Sequence, residues 1–292
     1  MFPVQKQQFS DMGFLKSNDH IMMIQHYTLF TMKWMVAVCC SLAAVTLQAQ
    51  TGGHLEDADG NVYPFVVIGD QEWMSENLRT TRFGDGTPMP LVNGQSEWNG
   101  IYGPAYCWYG NDRTRYEENY GALYNWYAVN TGKLCPEGWH VPSDAEWQIL
   151  ARHLGGENSA GGKLKSTGMD LVAEEISEDD LDKEKPTYVP GGEGQAEAAE
   201  TRPAARSRWN SPNTAATNET GFSAQPGGHR GSGSSSTTSG FNYLGNYGFW
   251  WSASESSPGV AWYRQMYYDH GKMSRMTIGK NDGQSVRCVR DR

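Results

Sequence analysis

Residues 133–147 read KLCPEGWHVPSDAEW and carry the clearest helix signal in the chain. Ser143 and Glu146 have the spacing of a capping box, in which each side chain binds a backbone N–H of the first turn. Apolar residues then recur at helical spacing, at Trp147, Leu150, Ala151 and Leu154. Gly155-Gly156 supply the stop signal. This pattern predicts a helix that begins after Ser143 and buries one face.

The same stretch holds a cysteine and a histidine, which raises the alternative of an active site. His140 and His153 bracket the predicted helix, and no third ligand stands at a suitable spacing. Zinc sites need three or four converging ligands. We therefore interpret 133–147 as a structural corner and assign His140 no chemical role.

Composition favours an α+β or mostly β domain. The chain has 292 residues with 38% hydrophobic content, 34 Gly, 11 Trp and 15 Tyr, which suits an irregular domain better than a helical bundle. The net charge of -9 arises in Asp170–Glu200, which holds eleven acids and two lysines. The sequence has no basic patch, so nucleic acid is not expected as a partner. We predict an acidic, disordered insertion at 169–207.

The N-terminal region indicates export. Residues 32–49 carry one lysine, an apolar run of about a dozen residues and a cleavage site near Ala49, as in a signal peptide. The run is shorter than the roughly 20 residues of a membrane span. We expect residues 1–31 to be a non-native extension and the mature chain to lack a transmembrane span. The predicted location is outside the cell or on its surface.

The first mature segment predicts a hairpin. Asp57, Asp59 and Asn61 have the spacing of a calcium-loop start, but Ile68 stands where the loop needs its last carboxylate. A turn before a strand at 63–68 explains the same residues. We therefore predict no cofactor, and calcium has no motif to support it.

Further elements follow from periodicity and turn residues. Tyr120–Asn130 places Leu123, Trp126 and Tyr127 on one helical face, which predicts a second, buried helix. After residue 240, the runs FWWSAS, AWYRQMYY and MSRMTI alternate with turn residues. Antiparallel hairpins are expected there.

The aromatic residues of the last third are the best functional signal. Neighbouring residues of a strand face opposite sides, so Trp250 and Trp251 cannot enter one core, and the same holds for Tyr267 and Tyr268. Two alternatives remain: some rings are exposed to a ligand, or a two-layer domain buries both faces. Under the first, rings beside polar groups suit a glycan or a protein. The candidate ligand-binding residues are Trp251, Trp262, Tyr267, Tyr268, Asp269, His270 and Asn281.

Three cysteines remain after the predicted signal peptide: Cys107, Cys135 and Cys288. Three thiols allow one disulfide and one free cysteine, or no disulfide. Cys107 has no histidine or other base nearby in sequence, which favours a buried inert thiol over a nucleophile.

Eight motifs in order link the chain to a family. They are DADGNVY, EWMSENL, YGALYNWYAV, LCPEGWHVPSDAEW, KLKSTG, NETGFSAQPGGHR, FWWSASES and SVRCVRD. This set resembles the Fibrobacter succinogenes major paralogous domain of bacterial surface and secreted proteins. The resemblance covers about Asp57 to Asp291 and predicts a single domain at 55–292, interrupted by the acidic insertion.

The resemblance implies a C-type-lectin-like α+β domain with short antiparallel strands, two helices and long irregular loops. In such folds the last strand returns beside the first, and the family's cysteine pair falls on Cys135 and Cys288. The related formylglycine-generating oxidases use a reactive cysteine pair near the C-terminus, where this chain has Cys288 alone. The calcium-site triplets of lectins are absent, since 209–211 read WNS.

Three functions are therefore expected, in this order. The first is a secreted or cell-surface binding module without catalysis, whose partner is a glycan or a surface protein. The second is a structural component of a bacterial surface assembly. The third is an oxidase-like enzyme that uses Cys288 with Cys107.

Overall fold

The computed structural model describes residues 51–167, 209–232 and 240–292, with only the backbone of Thr51. The predicted N-terminal extension, signal peptide and acidic insertion lie outside these ranges. The described residues belong to one compact unit. Its first strand begins at Thr51, ahead of the predicted domain start at 55, because 51–56 pair with the second strand.

The fold is α+β and contains two main sheets. The first sheet has the order β1-β2-β3-β11 and the second the order β10-β9-β8-β6-β7. The strands are β1 Thr51–Glu56, β2 Val62–Ile68, β3 Gln71–Met74, β4 Tyr106–Cys107, β5 Leu123–Tyr124, β6 Gly227–Arg230, β7 Phe241–Leu244, β8 Tyr247–Ser257, β9 Val260–Tyr267, β10 Met273–Gly279 and β11 Val289–Asp291. Strands β4 and β5 form a two-stranded ladder.

Among the described strands every pair except one is antiparallel, in line with the expected short antiparallel strands. The exception is β6 and β8, which run parallel at Gly228 and Gly248. The three terminal hairpin strands fall where the alternating runs predict them. The last strand returns to the N-terminal sheet, where it pairs with β3.

Five short helices occur in the described residues, so the prediction of two helices is wrong. They are α1 Gln95–Gly100, α2 Arg113–Tyr120, α3 Trp126–Val129, α4 Asp144–His153 and α5 Glu157–Leu164. The capping box of α4 is present as predicted. The predicted helix over Tyr120–Asn130 is instead β5 followed by the single turn α3, because Leu123 and Tyr124 pair with β4 and Asn125 caps α3.

Two hydrophobic clusters bury both sides of strand β8. Trp250 belongs to one cluster with Trp147 of α4, and Trp251 belongs to the other with Tyr124 of β5. Both indole rings are fully buried. The two-layer alternative is therefore correct for this pair, and the exposure predicted for Trp251 is wrong. Its indole N–H donates to the Tyr124 carbonyl at 2.7 Å.

A buried guanidinium joins the C-terminal segment to two other parts of the chain. Arg287 has no exposed surface and donates to the carbonyls of Met74, Phe222 and Ser223. Its Nε donates to Asn77 Oδ1 at 2.7 Å, and the same oxygen accepts from the Trp250 indole at 2.9 Å. Burial lowers the pKa of Arg287 to about 9, so the group stays charged at neutral pH.

The disulfide implied by the resemblance is confirmed. Cys135 and Cys288 are bonded across a separation of 153 residues, with their Cα atoms 5.9 Å apart. A cross-link of this span restricts the unfolded chain and stabilises the fold by about 4–5 kcal/mol. Cys107 is a free thiol, fully buried, and burial raises its pKa to about 11.

Asn77→Ala should lower the free energy of unfolding by about 2–4 kcal/mol, because the buried Arg287 and Trp250 donors lose their shared acceptor. Chemical denaturation of both proteins measures the difference. Asn99→Ala, at an exposed position of α1, is the control and should change stability by less than about 0.5 kcal/mol. Equal stability of the Asn77 variant and the wild type would contradict the assignment of Asn77 as a shared acceptor.

Peptide mapping without reductant should recover Cys135 linked to Cys288. In the folded chain Cys107 should resist alkylation at pH 8, because its thiol is buried and almost fully protonated. Unfolding in denaturant should make Cys107 reactive. Rapid labelling of Cys107 in the native chain, or of Cys288 without reduction, would contradict this arrangement.

Candidate functional site

One side of the second sheet presents a continuous group of aromatic rings. Side chains alternate along a strand, and the β8–β9 register pairs Tyr247 with Tyr267 and Trp251 with Tyr263. These residues therefore share a side with Phe249. We call this side, from β9 across to β7, the tyrosine face; it is formed by the rings of Tyr243, Tyr247, Tyr263, Tyr267, Phe249 and His229.

The rings of the tyrosine face contact one another in sequence across three strands. Tyr243 lies 4.9 Å from Tyr247, and Tyr247 lies 5.2 Å from Tyr267, measured between ring centroids. The His229 ring stacks on Phe249 at 4.8 Å. Exposure rises toward β7, where Tyr243 is 49% exposed while Phe249 is 3% exposed. The face thus has a buried floor and an accessible rim.

Polar side chains lie between these rings. The Tyr263 hydroxyl donates to Gln265 Oε1 at 3.3 Å, and the Tyr267 hydroxyl donates to Ser274 Oγ at 3.1 Å. Met276 contacts the Tyr263 hydroxyl and is 42% exposed. The combination of exposed rings and amide or hydroxyl groups lets this side of the sheet stack on a ligand and hydrogen-bond to it.

A buried carboxylate borders the tyrosine face. Asp282 accepts hydrogen bonds from the Ser232 backbone N–H at 3.0 Å and from the Ser232 hydroxyl at 3.3 Å. Burial raises the pKa of Asp282 to about 6. Burial also raises the pKa of Tyr263 to about 12, with smaller contributions from the charges of Tyr267 and Asp282. Asp282 is thus largely ionised at pH 7 although it is buried.

A lysine anchors the end of the β9–β10 hairpin beneath the face. Lys165 Nζ donates to the carbonyls of Tyr267 and Thr214 at 2.8 Å and to that of His270 at 3.2 Å. The residue is fully buried, and burial lowers its pKa to about 8. Three carbonyls around one ammonium group fix the backbone that carries Tyr267.

The structure divides the predicted ligand-binding residues among several places. Tyr267 lies on the tyrosine face, and the His270 ring lies 4.1 Å from it. Trp262 points to the opposite side of the sheet, where the Arg275 guanidinium lies 3.3 Å from its ring centroid. Tyr268 packs against the core cluster of Trp250, and Asp269 is exposed next to His270.

Asn281 belongs to the side of the domain near α1 and α3. Its amide donates to the Ile101 carbonyl, and its Oδ1 accepts from Tyr127 at 3.5 Å. The adjacent Tyr102 ring is the most exposed large apolar side chain there, at 78%. Asn281 and Trp262 are therefore not brought together with Tyr267.

Sequence reasoning missed Tyr243, Tyr247 and His229. The alternation of Tyr247 and Phe249 within β8 was an available signal for one shared side. The contribution of β6 and β7 depends on Gly228, whose φ of +62 and close approach to the Asn242 carbonyl require glycine. A Cβ at Gly228 would lie 2.4 Å from that carbonyl oxygen.

Other candidate chemistry has structural explanations in the described residues. Asp57 accepts from the backbone N–H groups of Asp59 and Asn61 and from the Tyr63 hydroxyl, so its oxygens serve the β1–β2 hairpin, as predicted. His140 pairs with Glu146 at 2.6 Å, which raises the pKa of the imidazole.

No group of three His, Cys, Asp or Glu in the described ranges is arranged to hold a metal ion. None of their helices has the length and apolarity of a membrane span.

Asp282→Asn should stabilise the fold at pH 7 by about 2–3 kcal/mol, because it removes a buried charge. The native carboxyl binds its proton more tightly than the unfolded one, so the wild type gains stability as pH falls from about 6 to 4. The advantage of the variant should therefore disappear near pH 4. Denaturation curves between pH 4 and 8 measure the difference in stability between the variant and the wild type, and Asp269→Asn is the control at an exposed position. A constant difference across this range would contradict the raised pKa.

The family comparison agrees with the motif resemblance. The model of the Fibrobacter succinogenes major domain matches residues 66–290, which include the second sheet and the tyrosine face, while β1 and the first residues of β2 precede the match. No curated protein and no solved structure matches the chain. Because the match covers well over half of the sequence, this chain belongs to the Fibrobacter succinogenes major domain family.

Proposed function

We propose that the protein is a secreted or cell-surface binding module without catalysis, and that the tyrosine face binds a glycan. The observation that carries this proposal is the open row of rings at Tyr243, Tyr247 and Tyr267, with hydroxyl and amide groups between them. Sugar rings present C–H groups that pack on aromatic faces and hydroxyls that bind such polar groups. A protein partner with a flat surface would contact fewer of the polar groups at the floor than a glycan would.

The backbone at Tyr243 supports a role in binding. Its φ is +67°, in the left-handed region that bulky residues rarely adopt. Such strain costs about 1–3 kcal/mol and is frequent at ligand clamps. The strained backbone presents a half-exposed ring at the rim, where an asparagine or glycine would be the more stable choice.

The proposed location rests on the N-terminal segment at 32–49 and on the disulfide. Disulfides are typical of proteins that fold outside the reducing cytosol. The C-type-lectin-like arrangement is part of the same proposal. Its support is the return of β11 to the N-terminal sheet and the Cys135–Cys288 bridge beside it.

The oxidase-like alternative has less support from the described residues. It requires reactive thiols at Cys288 and Cys107, but Cys288 is bonded to Cys135. Cys107 is buried beside Arg230 in the cluster of Trp98 and Phe241, and its pKa is raised. A thiol in such surroundings is largely unreactive.

Tyr243→Asn should lower glycan affinity by about tenfold or more, because it removes the most exposed ring of the tyrosine face. The folded state should keep or gain stability, since asparagine tolerates the left-handed backbone. Screening the wild type on an oligosaccharide array identifies the ligand, and titration calorimetry then compares the variants.

Trp262→Ala is the matched control, because it removes an aromatic ring from the opposite side of the same sheet. Its affinity should equal that of the wild type. Absence of binding to every oligosaccharide, or wild-type affinity of both Tyr243→Asn and Tyr267→Ala, would overturn the proposal. Equal losses in the Trp262 and Tyr243 variants would show that the ligand binds elsewhere.

A further inference from the structure

The floor of the tyrosine face contains two polar side chains, the fully buried Gln284 and the partly exposed His229 of β6. Arg230 and Gly283 exchange backbone hydrogen bonds of 2.9 and 2.7 Å in an antiparallel bridge. Ser285 pairs in parallel with Trp250, and side chains alternate along a strand, so Gln284 lies on the side of β8 that carries Phe249 and Trp251. His229 stacks on Phe249 and therefore shares that side.

Both side chains have unused hydrogen-bonding atoms. Gln284 has no exposed surface, and neither its Oε1 nor its Nε2 has a partner among the described residues. The same is true of His229 Nδ1. Burial lowers the pKa of His229 to about 4, so the ring is neutral at pH 7. Nearly all buried polar groups in folded proteins are hydrogen-bonded, so three such atoms on one side of one sheet require an explanation.

Contacts within the fold do not explain why these buried polar atoms are present. A leucine at position 284 would fill the same volume and carry no buried polar atom. Ser285 and Arg287, which alternate with Gln284, face the other side of the segment, where each binds Asn77. The Gln284 amide, by contrast, makes no hydrogen bond within the described residues.

We propose that Gln284 and His229 form a subsite that takes the acetamido group of a 2-acetamido sugar. This inference rests on the proposed glycan-binding function. The side-chain amide of Gln284 offers an NH2 group as donor and a carbonyl oxygen as acceptor, which match the C=O and N–H of an acetamido group. The neighbouring Phe249 and Tyr263 rings supply the apolar surface that the methyl group requires. A sugar hydroxyl in place of the acetamido group would bind the polar atoms but would leave the apolar surface of these rings without a contact.

Tyr243 covers the His229 side of the proposed subsite. Its ring lies 5.5 Å from the His229 ring and is half exposed, so it can turn outward without leaving a cavity in the core. Ligand binding therefore exchanges the Tyr243–His229 contact for a sugar placed between the rim and the floor.

Paired oligosaccharides of the same linkage test the inference without any variant. The full chain is titrated with chitotetraose and cellotetraose, which differ in the acetamido or hydroxyl group at each C2. We expect chitotetraose to bind at least tenfold more tightly. Equal affinity for the two, or preference for cellotetraose, overturns the acetamido subsite and leaves the glycan-binding proposal intact. Binding to neither overturns the inference, while the oligosaccharide array decides the proposed function separately.

A variant then locates the preference. Gln284→Leu should keep the thermal midpoint of the wild type or raise it, and should bring the affinity for chitotetraose down to that for cellotetraose. Gln71→Leu is the matched control, since Gln71 is also buried with an unpartnered Nε2 but lies in the first sheet. A Gln284 variant that retains the full preference, or a Gln71 variant that loses it, overturns the assignment.

Discussion

The structure depends on the burial of one positive charge. Arg287 lies without solvent contact, and a guanidinium in such a position must have its donors satisfied by the protein. Its partners are carbonyls of Met74, Phe222 and Ser223 together with the Asn77 side chain. The most distant of these partners, Met74, lies 213 residues before Arg287 in the chain. The charge therefore fixes how the N-terminal sheet, the loop before β6 and the C-terminal segment meet.

This constraint also places the candidate site. Residues alternate along the C-terminal segment, so Ser285 and Arg287 bind Asn77 on one side while Val286 and Cys288 enter the other core cluster. Gln284 lies on the same side as Val286, next to the floor of the tyrosine face. The residues that hold the segment in place are thus separate from those that we propose to contact ligand. Variants of Gln284 can change binding without removing the Arg287 contacts.

The sequence predicted those parts of the fold that depend on neighbours in the chain. The capping box at Ser143 and Glu146, the hairpin at Asp57 and the terminal strands all arise from local turn or cap chemistry. Leu123 was wrongly placed in a helix, because its pairing with Cys107 of β4 overrides the helical spacing. Tyr267 was found as a candidate, whereas the partners that make it part of a face come from β6, β7 and β8. Their register was not visible in the sequence.

The side of the sheet on which a ring lies decides whether it is available to a ligand. Trp262 and Tyr263 are adjacent in sequence, yet Trp262 stacks with Arg275 on the helix-covered side and Tyr263 belongs to the tyrosine face. The aromatic residues of the last third of the chain therefore lie in two kinds of place, the buried cores and the tyrosine face. Trp250 and Trp251 fill two cores on either side of β8, so the strand that carries Tyr247 and Phe249 is packed on both of its sides. Rings held in place by packing lose little entropy when a ligand binds, which is the physical reason for proposing a binding surface on the strands of this sheet.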